Sequence, residues 1–385
     1  MLKSKNMRYH IITLGCQMNK SDSERIATVL ESAGYKKSPT LKGASLVVIN
    51  MCSVRQAAVD KVKNQILNIK NINKKSKIII TGCILKTDKE KLAPLVDYIL
   101  SIKDLANWPK ILSSRYPILR EPKNRISGTS QNRISPTSLN YLKTKPNYQT
   151  FPKAFVPISF GCNNFCSYCV VPYTRGPEMH RPEKEILKEI KELIAKKYNH
   201  ITLLGENVNS YQNKIKDQKS KILKTDKNDF VELLRKITAI RGDFKVNFMA
   251  ANPHNFTDEL INEVAKNPKL EKYLHLPLQS GDNAILKKMK RPYTREQYLK
   301  LIAKIKKQIP NVKIVTDVIV GFPGETEKQF QKTVDIMKKT QFYQAYIAKY
   351  SPRIGTSAFY MKDNVTTKEK IHREQELRKI TFALH

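Results

Sequence analysis

The chain has 385 residues, of which 40% are hydrophobic, and it carries 70 Lys and Arg residues against 34 Asp and Glu residues. That length predicts two or three domains, and no apolar run is longer than a strand, so we expect a cytoplasmic protein with no membrane partner. The net charge of +36 favours a polyanionic partner such as nucleic acid, although lysine on every solvated face would produce the same balance.

The first predicted elements alternate strands with amphipathic helices. Three apolar runs, "RYHIITLGC", "SLVVINMC" and "KSKIIITGC", end at Cys16, Cys52 and Cys83. A helix is predicted after the first run, with Ser21 and Glu24 spaced as a capping box. Strand–helix–strand alternation predicts an N-terminal open parallel α/β sheet over residues 7–117.

The three cysteines at these strand ends are the first candidate site. In an open parallel sheet every strand has its carboxyl end on the same edge, where ligands bind, so the sheet brings the three thiols together. The alternative is three small buried apolar residues, which is what most free cysteines are. Because the expected compartment is reducing, we do not predict disulfides.

The rest of the chain is predicted to form a linker, a second domain and a short extension. Residues 118–150 are rich in Pro, Ser, Asn and basic residues and are predicted to be a basic linker. From 151 to 350, six further strand–helix units predict a partial (β/α)6 barrel, whose site lies at the carboxyl ends of the strands. Residues 351–385 are predicted to be a C-terminal helical extension.

The loop after the first barrel strand carries a C-x3-C-x2-C pattern at Cys162, Cys166 and Cys169. Three thiolates so close in sequence indicate a metal centre, but they are one ligand short of a structural zinc site or of a four-iron cluster held by four cysteines. A cluster with one iron free of protein ligands can bind a substrate there. The alternative is zinc, with His180 as its fourth ligand.

This loop closely resembles the radical S-adenosylmethionine (SAM) superfamily. Further segments at strand ends, "LLGENVNSY", "HLPLQSGDNAILKKMKRPYTREQY", "VIVGFPGETEKQF" and "AYIAKYSPRIGT", together with the three N-terminal cysteines, resemble its methylthiotransferase branch and most of all the MiaB-type tRNA enzymes. The resemblance runs from residue 8 to about residue 375. Members of that family continue into a small RNA-binding β-barrel, the TRAM domain, which we expect this chain to lack.

The resemblance implies two [4Fe-4S] clusters and SAM as cofactors. Cys162, Cys166 and Cys169 hold the cluster that binds SAM and are the catalytic residues, and Cys16, Cys52 and Cys83 hold an auxiliary cluster. The implied reaction converts N6-isopentenyladenosine beside the tRNA anticodon to its 2-methylthio derivative, with the two clusters facing the substrate base. The implied partners are the tRNA anticodon stem-loop with its isopentenylated adenosine, an electron donor such as flavodoxin or ferredoxin, and a sulfur donor.

The resemblance also implies contacts from the loops at the barrel strand ends. The residues expected beside the cluster or near the amino-acid or ribose part of SAM are Tyr168, Gly205, Glu206, Asn207, Gln279, Ser280 and Gly281. Those expected near the adenosyl group are Asp317, Gly321 and Phe322. Those expected to contact adenine or RNA phosphate are Tyr350, Ser351 and Arg353. Arg175 is expected to bind the methionyl carboxylate or a phosphate, and the alternative for it is pairing with a nearby carboxylate. For each polar residue, a hydrogen bond within a turn is the alternative role.

Two groups of alternative functions stay open at this point. The same chemistry can act on threonylcarbamoyladenosine in tRNA or on an aspartate of a ribosomal protein. A protein of another class, a non-catalytic RNA-binding paralogue with structural metal sites, is also compatible with the cysteines and the charge.

Overall fold

The computed structural model describes residues 7–54, 56–113, 141–213 and 228–382, and the chain divides into two compact units. The N-terminal unit consists of Met1–Thr150 together with Tyr173–Pro177, and the second unit consists of Phe151–Pro172 and Glu178–His385. Residues 118–140 of the predicted linker lie outside the described residues. The part from residue 141 to 150 packs on the N-terminal unit, where the Asn147 amide donates to the Glu24 carbonyl (3.0 Å).

The strands and helices are numbered separately in chain order. The strands are β1 (Arg8–Leu14), β2 (Lys36–Lys37), β3 (Leu46–Cys52), β4 (Lys77–Cys83), β5 (Tyr98–Ile99), β6 (Lys153–Pro157), β7 (Ser159–Phe160), β8 (Met179–His180), β9 (His200–Leu204), β10 (Lys245–Phe248), β11 (Tyr273–His275), β12 (Lys313–Val320) and β13 (Gln344–Lys349). The helices are α1 (Gln17–Ser32), α2 (Gln56–Ile72), α3 (Lys86–Leu92), α4 (Trp108–Ser113), α5 (Val171–Thr174), α6 (Glu183–Ala195), α7 (Asp229–Thr238), α8 (Asp258–Lys266), α9 (Asn283–Lys288), α10 (Arg295–Gln308), α11 (Glu327–Thr340) and α12 (Thr367–Phe382).

The N-terminal unit contains a five-stranded sheet in the order β2-β1-β3-β4-β5, and every pair of neighbours is parallel. The central strands β3 and β4 are almost continuously apolar because the sheet buries them on both faces. In this doubly wound order the direction of winding reverses between β1 and β3, and ligands bind in the crevice beyond the carboxyl ends of those two strands. The predicted α/β sheet is confirmed.

The first helix starts earlier than its sequence indicates. The capping box predicted at Ser21 and Glu24 is wrong, because α1 begins at Gln17 with Cys16 as its N-cap. Asn19 completes a reciprocal cap. Its side-chain oxygen accepts a hydrogen bond from the Cys16 backbone amide (3.2 Å), and its own backbone amide donates to the Cys16 sulfur. A thiol is not among the usual capping side chains, so the sequence favoured the serine five residues later.

The second unit is built around six parallel strands within the described residues. They form two three-stranded sheets, in the orders β10-β9-β6 and β11-β12-β13. A parallel bridge between Val246 and Leu270 joins β10 to the chain just before β11, so the strands follow one another in sequence order around an arc. This arrangement confirms the predicted partial barrel of six strand–helix units.

The last helix, α12, packs on β13 and α11. Its buried Arg373 donates to the carbonyl and to the carboxylate of Glu325 (3.1 and 3.0 Å), in the loop that follows β12. α12 thereby fixes a loop at the carboxyl end of the barrel. Across the described ranges, the structure contains no helix with the length and apolar character needed to cross a membrane.

Candidate functional site

The cysteines of the N-terminal unit lie at one edge of its sheet. We call Cys16, Cys52 and Cys83 the N-terminal trio. Cys52 and Cys83 are the last residues of the neighbouring strands β3 and β4, and they lie directly opposite each other in the register. Cys16 follows β1, so Cys16 and Cys52 flank the point where the winding of the sheet reverses. None of the three described cysteines is in a disulfide, and all three lie at the edge that the topology marks as a binding crevice.

The surroundings of the N-terminal trio favour thiolates, the form that binds metals. Cys16 lies at the N-terminus of α1, where the helix dipole stabilises negative charge. A hydrogen bond with Cys83 lowers the pKa of Cys52. Arg175, placed in this unit by the short segment Tyr173–Pro177, donates from Nε to Cys83 Sγ (2.9 Å). The structure also shows the alternative role, because Arg175 Nη2 pairs with the Asp22 carboxylate (2.9 Å). The predicted contact of Arg175 with the methionyl carboxylate or a phosphate stays a prediction.

A buried pair of amides, which the sequence analysis missed, holds the two sides of the crevice together. Asn19 Nδ2 donates to Asn50 Oδ1 (2.9 Å), and Asn50 Nδ2 donates to the Asn19 carbonyl (2.8 Å). Both side chains are fully buried. Asn19 lies three residues after Cys16 and Asn50 two residues before Cys52, so the pair fixes the spacing between these cysteines. The polar Asn50 inside the apolar run "LVVINM" is the feature of the sequence from which the pair could have been predicted.

Gly82, directly before Cys83, is required by the backbone. Its φ is +107°, and a β-carbon there would lie 2.2 Å from the Met51 carbonyl oxygen. A Gly82→Ala substitution therefore combines left-handed strain of about 1–2 kcal/mol with a backbone clash. We expect this variant to displace Cys83 and to reduce bound iron, in an anaerobic iron analysis, by about half.

The control for Gly82→Ala is Gly355→Ala. Gly355 has a φ of +90°, but a β-carbon there would meet no atom within 4 Å. The Gly355→Ala variant therefore has the left-handed backbone strain but no steric clash, and it lies in the second unit. Equal iron content in the two variants would contradict the role given to Gly82.

The second set of cysteines lies in a loop of the barrel unit. We call Cys162, Cys166 and Cys169 the loop trio. The loop starts after β7 and returns at β8, and these two short strands pair antiparallel and close its base. Within the loop, the Cys169 amide donates to the Cys166 carbonyl (3.0 Å), and the Asn164 amide lies 3.5 Å from Cys162 Sγ. The first bond closes a tight turn from Cys166 to Cys169, and the second directs a backbone amide at the Cys162 sulfur.

Burial keeps two of these thiols protonated when no metal is bound. It raises the pKa of Cys162 to about 12, and it raises the pKa of Cys169 as well. A metal centre at this loop must therefore displace protons as it binds.

The loop trio lines a cleft of about 200 Å³ in the barrel unit. The predicted residues that also line it are Tyr168, Glu206, Asn207, Gln279 and Asp317. They come from the carboxyl ends of several different strands, as expected for a barrel site. The side-chain oxygen of Asn207 is buried and has no hydrogen-bond partner among the described residues. An unpaired buried acceptor in a cleft is the kind of group that a ligand satisfies.

Strained backbone is concentrated around the same cleft. Phe165, Ala250 and Gln279 all line it, and their φ angles are +45°, +64° and +67°. Such conformations cost energy for residues other than glycine and are typical of functional sites. Gln279 is held there by bonds from its amide to the Asp317 carbonyl (2.8 Å) and from the Ile319 amide to its own carbonyl (2.9 Å).

Two residues of this cleft were missed by sequence analysis, although both lie in a quoted motif. Arg291 donates from Nη1 to Cys166 Sγ (3.3 Å) and from Nε to the Tyr293 hydroxyl (3.1 Å). His275 Nε2 lies 2.9 Å from Asp317 Oδ2. Arg291 gives the loop trio a positive charge, as Arg175 does for the N-terminal trio.

Several residues predicted to bind SAM or RNA do not line the cleft. They are Gly205, Ser280, Gly281, Gly321, Phe322, Tyr350, Ser351 and Arg353. Phe322 and Tyr350 pack edge to face, with ring centroids 5.3 Å apart, in an apolar cluster that also supports Tyr168. Gly281 lies against the α11 backbone, where a β-carbon would come within 2.5 Å of Lys332 O. Their predicted ligand contacts stay predictions.

Both trios have the donor chemistry of an iron–sulfur site. In the described ranges, no three Cys, His, Asp or Glu side chains converge as ligands of a single metal ion do. Each cysteine of a four-iron cluster binds a different iron atom, so a cluster does not require that convergence. Each trio combines three thiols with a nearby guanidinium, and the loop trio also lines a cleft; these features fit clusters with one open iron.

Comparison with known proteins gives a consistent assignment. One family model, the radical SAM superfamily, matches residues 156–337, and another, the uncharacterized protein family UPF0004, matches residues 8–101. The chain is 42% identical over 379 residues to the tRNA-2-methylthio-N(6)-dimethylallyladenosine synthase of Carboxydothermus hydrogenoformans, covering 96% of this chain and 82% of that protein. Proteins of the same name from Caldicellulosiruptor saccharolyticus and Clostridium botulinum are 39% and 41% identical, covering 98% and 93% of this chain and 78% and 77% of theirs.

Solved structures agree on the fold. TsrM, a radical SAM methyltransferase from Kitasatospora setae, matches with a TM-score of 0.58 at 14% identity, covering 89% of this chain and 75% of its own. OxsB, a cobalamin-dependent SAM radical enzyme, matches with a TM-score of 0.56 at 11% identity, covering 97% and 56%. At such low identity these two support the architecture alone. The sequence relatives carry the assignment further: the chain belongs to the tRNA-2-methylthio-N(6)-dimethylallyladenosine synthase family of radical SAM enzymes.

Proposed function

We propose that this protein is a radical SAM methylthiotransferase that converts N6-isopentenyladenosine (N6-dimethylallyladenosine), next to the tRNA anticodon, to its 2-methylthio derivative. The observation that carries this proposal is the presence of two cysteine trios at strand carboxyl ends, in a chain 42% identical to an enzyme named for that product. Each trio lies in its own unit and has its own guanidinium on one sulfur.

The cofactors of the family are SAM and two [4Fe-4S] clusters, and we assign their ligands by residue. The N-terminal trio holds the auxiliary cluster, and the loop trio holds the cluster beside which SAM binds. When bound, these groups supply the one-electron chemistry and the sulfur that replacement of an aromatic C–H bond requires. The chain itself binds and orients these groups.

Asn207 is the residue best suited to hold SAM. Asn207 lines the cleft of the loop trio, and its buried side-chain oxygen has no hydrogen-bond partner among the described residues. We propose that it accepts a hydrogen bond from the amino-acid or ribose part of SAM. Glu206 and Asp317 supply further acceptors along the same cleft, and Tyr168 packs beside the cysteines on its apolar support.

Replacing Asn207 by alanine tests that contact. We expect SAM to bind about threefold to tenfold more weakly, because one hydrogen bond of about 0.5–1.5 kcal/mol is lost. Calorimetric titration of SAM into anaerobic, cluster-loaded protein measures the change. Asn262→Ala, at an exposed position of α8, is the control and should bind SAM normally. Equal affinity in both variants would remove Asn207 from the site.

The proposed partners follow from the reaction. The macromolecular substrate is tRNA, and an anticodon loop offers bases that are easily unstacked. The net charge of +36 promotes association with RNA at low salt. We also propose a one-electron donor such as flavodoxin or ferredoxin and a separate sulfur donor, with the cytoplasm as the place where they meet.

The decisive experiment is a nucleoside assay. Anaerobically reconstituted protein is incubated with SAM, a reductant and isopentenylated tRNA, and digested nucleosides are analysed by mass spectrometry. We expect the 2-methylthio derivative of isopentenyladenosine. A parallel reaction with threonylcarbamoylated tRNA should leave that nucleoside unchanged. Methylthiolation of the second tRNA alone would overturn the proposed substrate.

A further inference from the structure

Arg175 contributes a buried positive charge to the N-terminal unit. Its side chain is 2% exposed, and that of Asp22, its partner, is 0% exposed. Nη2 of Arg175 donates to Asp22 Oδ2 (2.9 Å), and Nε donates to Cys83 Sγ (2.9 Å). The guanidinium therefore bridges a carboxylate on α1 and the cysteine at the end of β4.

Stability alone is a poor explanation for this arrangement. Removing two charges from water costs several kcal/mol each, and a buried ion pair often contributes no net stability compared with apolar residues of similar size. The ion pair does fix the orientation of the guanidinium. The planar guanidinium presents its donors in a fixed fork, so the bond to Asp22 determines where Nε points, and Nε points at the sulfur.

We propose that Arg175 is a positioning residue of the auxiliary cluster, which fixes the Cys83 sulfur and raises the reduction potential of that cluster. The inference rests on the proposed function, in which Cys16, Cys52 and Cys83 are cluster ligands. Hydrogen bonds to ligating sulfurs and nearby positive charge stabilise the additional electron of a reduced cluster. Burial strengthens both effects, because water and salt do not screen the charge.

A second buried arginine of the N-terminal unit, Arg25 on α1, offers a matched comparison. Arg25 is 0% exposed, and its Nη1 donates to Ser21 Oγ (2.6 Å) and to the Ser21 carbonyl (3.2 Å). An Arg25→Gln variant removes the same charge and a similar volume from the interior of the same unit. It differs from Arg175→Gln in leaving the donor on Cys83 in place.

The test uses the full chain with Cys162, Cys166 and Cys169 all replaced by alanine, so that only the auxiliary cluster can assemble. Iron and sulfide analysis of this protein comes first, and we expect about four irons per chain. Redox titration followed by electron paramagnetic resonance then gives the potential. We expect Arg175→Gln to lower the equilibrium constant for reduction about tenfold, which is about 59 mV for a one-electron couple.

The Asp22→Asn variant should shift the reduction potential in the direction opposite to that of Arg175→Gln. It removes the negative charge and leaves the guanidinium beside the sulfur, so we expect the potential to rise. Arg175→Lys retains the charge but not the fork, and we expect an intermediate potential. If Arg175 were only structural, Arg175→Gln and Asp22→Asn would alter the potential in the same direction or leave it unchanged.

The outcomes separate this inference from the proposed function. Absence of a cluster in the three-alanine protein would overturn the ligand assignment and the inference that depends on it. A normal cluster whose potential is the same in Arg175→Gln and Arg25→Gln would overturn the inference alone. Loss of the cluster from Arg175→Gln but not from Arg25→Gln would support the positioning of Cys83.

Discussion

Replacement of Cys166 by alanine is expected to abolish 2-methylthio product and 5′-deoxyadenosine together. Cys166 is one of the three cysteines of the loop trio, and the remaining two cannot hold a four-iron cluster beside the SAM cleft. Bound iron should fall from about eight to about four per chain, since the N-terminal trio keeps its own cluster. Nucleoside mass spectrometry, chromatography of 5′-deoxyadenosine and iron analysis measure the three quantities.

The matched control is Ser167→Ala, the next residue in the loop. Its hydroxyl is buried without a hydrogen-bond partner among the described residues, so its removal should change none of the three quantities. Persistence of 5′-deoxyadenosine in the Cys166→Ala protein would show that the loop trio does not support SAM cleavage.

Replacement of Cys52 by alanine is expected to abolish formation of the 2-methylthio product without abolishing cleavage of SAM. Cys52 lies at the end of β3, in the N-terminal unit, and has no part in the SAM cleft. We therefore expect complete loss of the 2-methylthio product, because the auxiliary cluster is lost, while reductant-dependent formation of 5′-deoxyadenosine continues. Val54→Ala, at a side chain that is 39% exposed, should retain both. Loss of 5′-deoxyadenosine in Cys52→Ala would mean that the two trios do not work independently.

The cysteine trios could be predicted from sequence because local patterns determine where they lie. Each cysteine of the N-terminal trio ends or follows an apolar strand, and parallel topology then places the three strand ends on one edge. The loop trio follows the first barrel strand directly, so its place required no tertiary information. Sequence patterns indicated the strands and helices for the same reason. Burial of one face leaves a periodic pattern of apolar residues, and burial of both faces of a strand leaves a continuous apolar run.

The contacts around the trios could not be predicted, because residues far apart in sequence make them. Arg175 meets Cys83 across 92 positions, and Arg291 meets Cys166 across 125. An arginine in a loop gives no indication of whether it will meet solvent, SAM or a sulfur. The early start of α1 was missed for a local reason, since a cysteine had taken the place of the usual capping residue.

The excursion of residues 173–177 into the N-terminal unit has a consequence for how the protein is made. Residues 1–150 leave the ribosome before Arg175 does, so the nascent N-terminal unit is for a time without the guanidinium that pairs with the buried Asp22 carboxylate. An unmatched buried charge of this kind costs about 3–5 kcal/mol. The unit is therefore completed only after the chain has passed residue 177, by which point Cys162, Cys166 and Cys169 have also been synthesised. A fragment that ends before residue 173 would therefore lack the guanidinium that bonds Cys83.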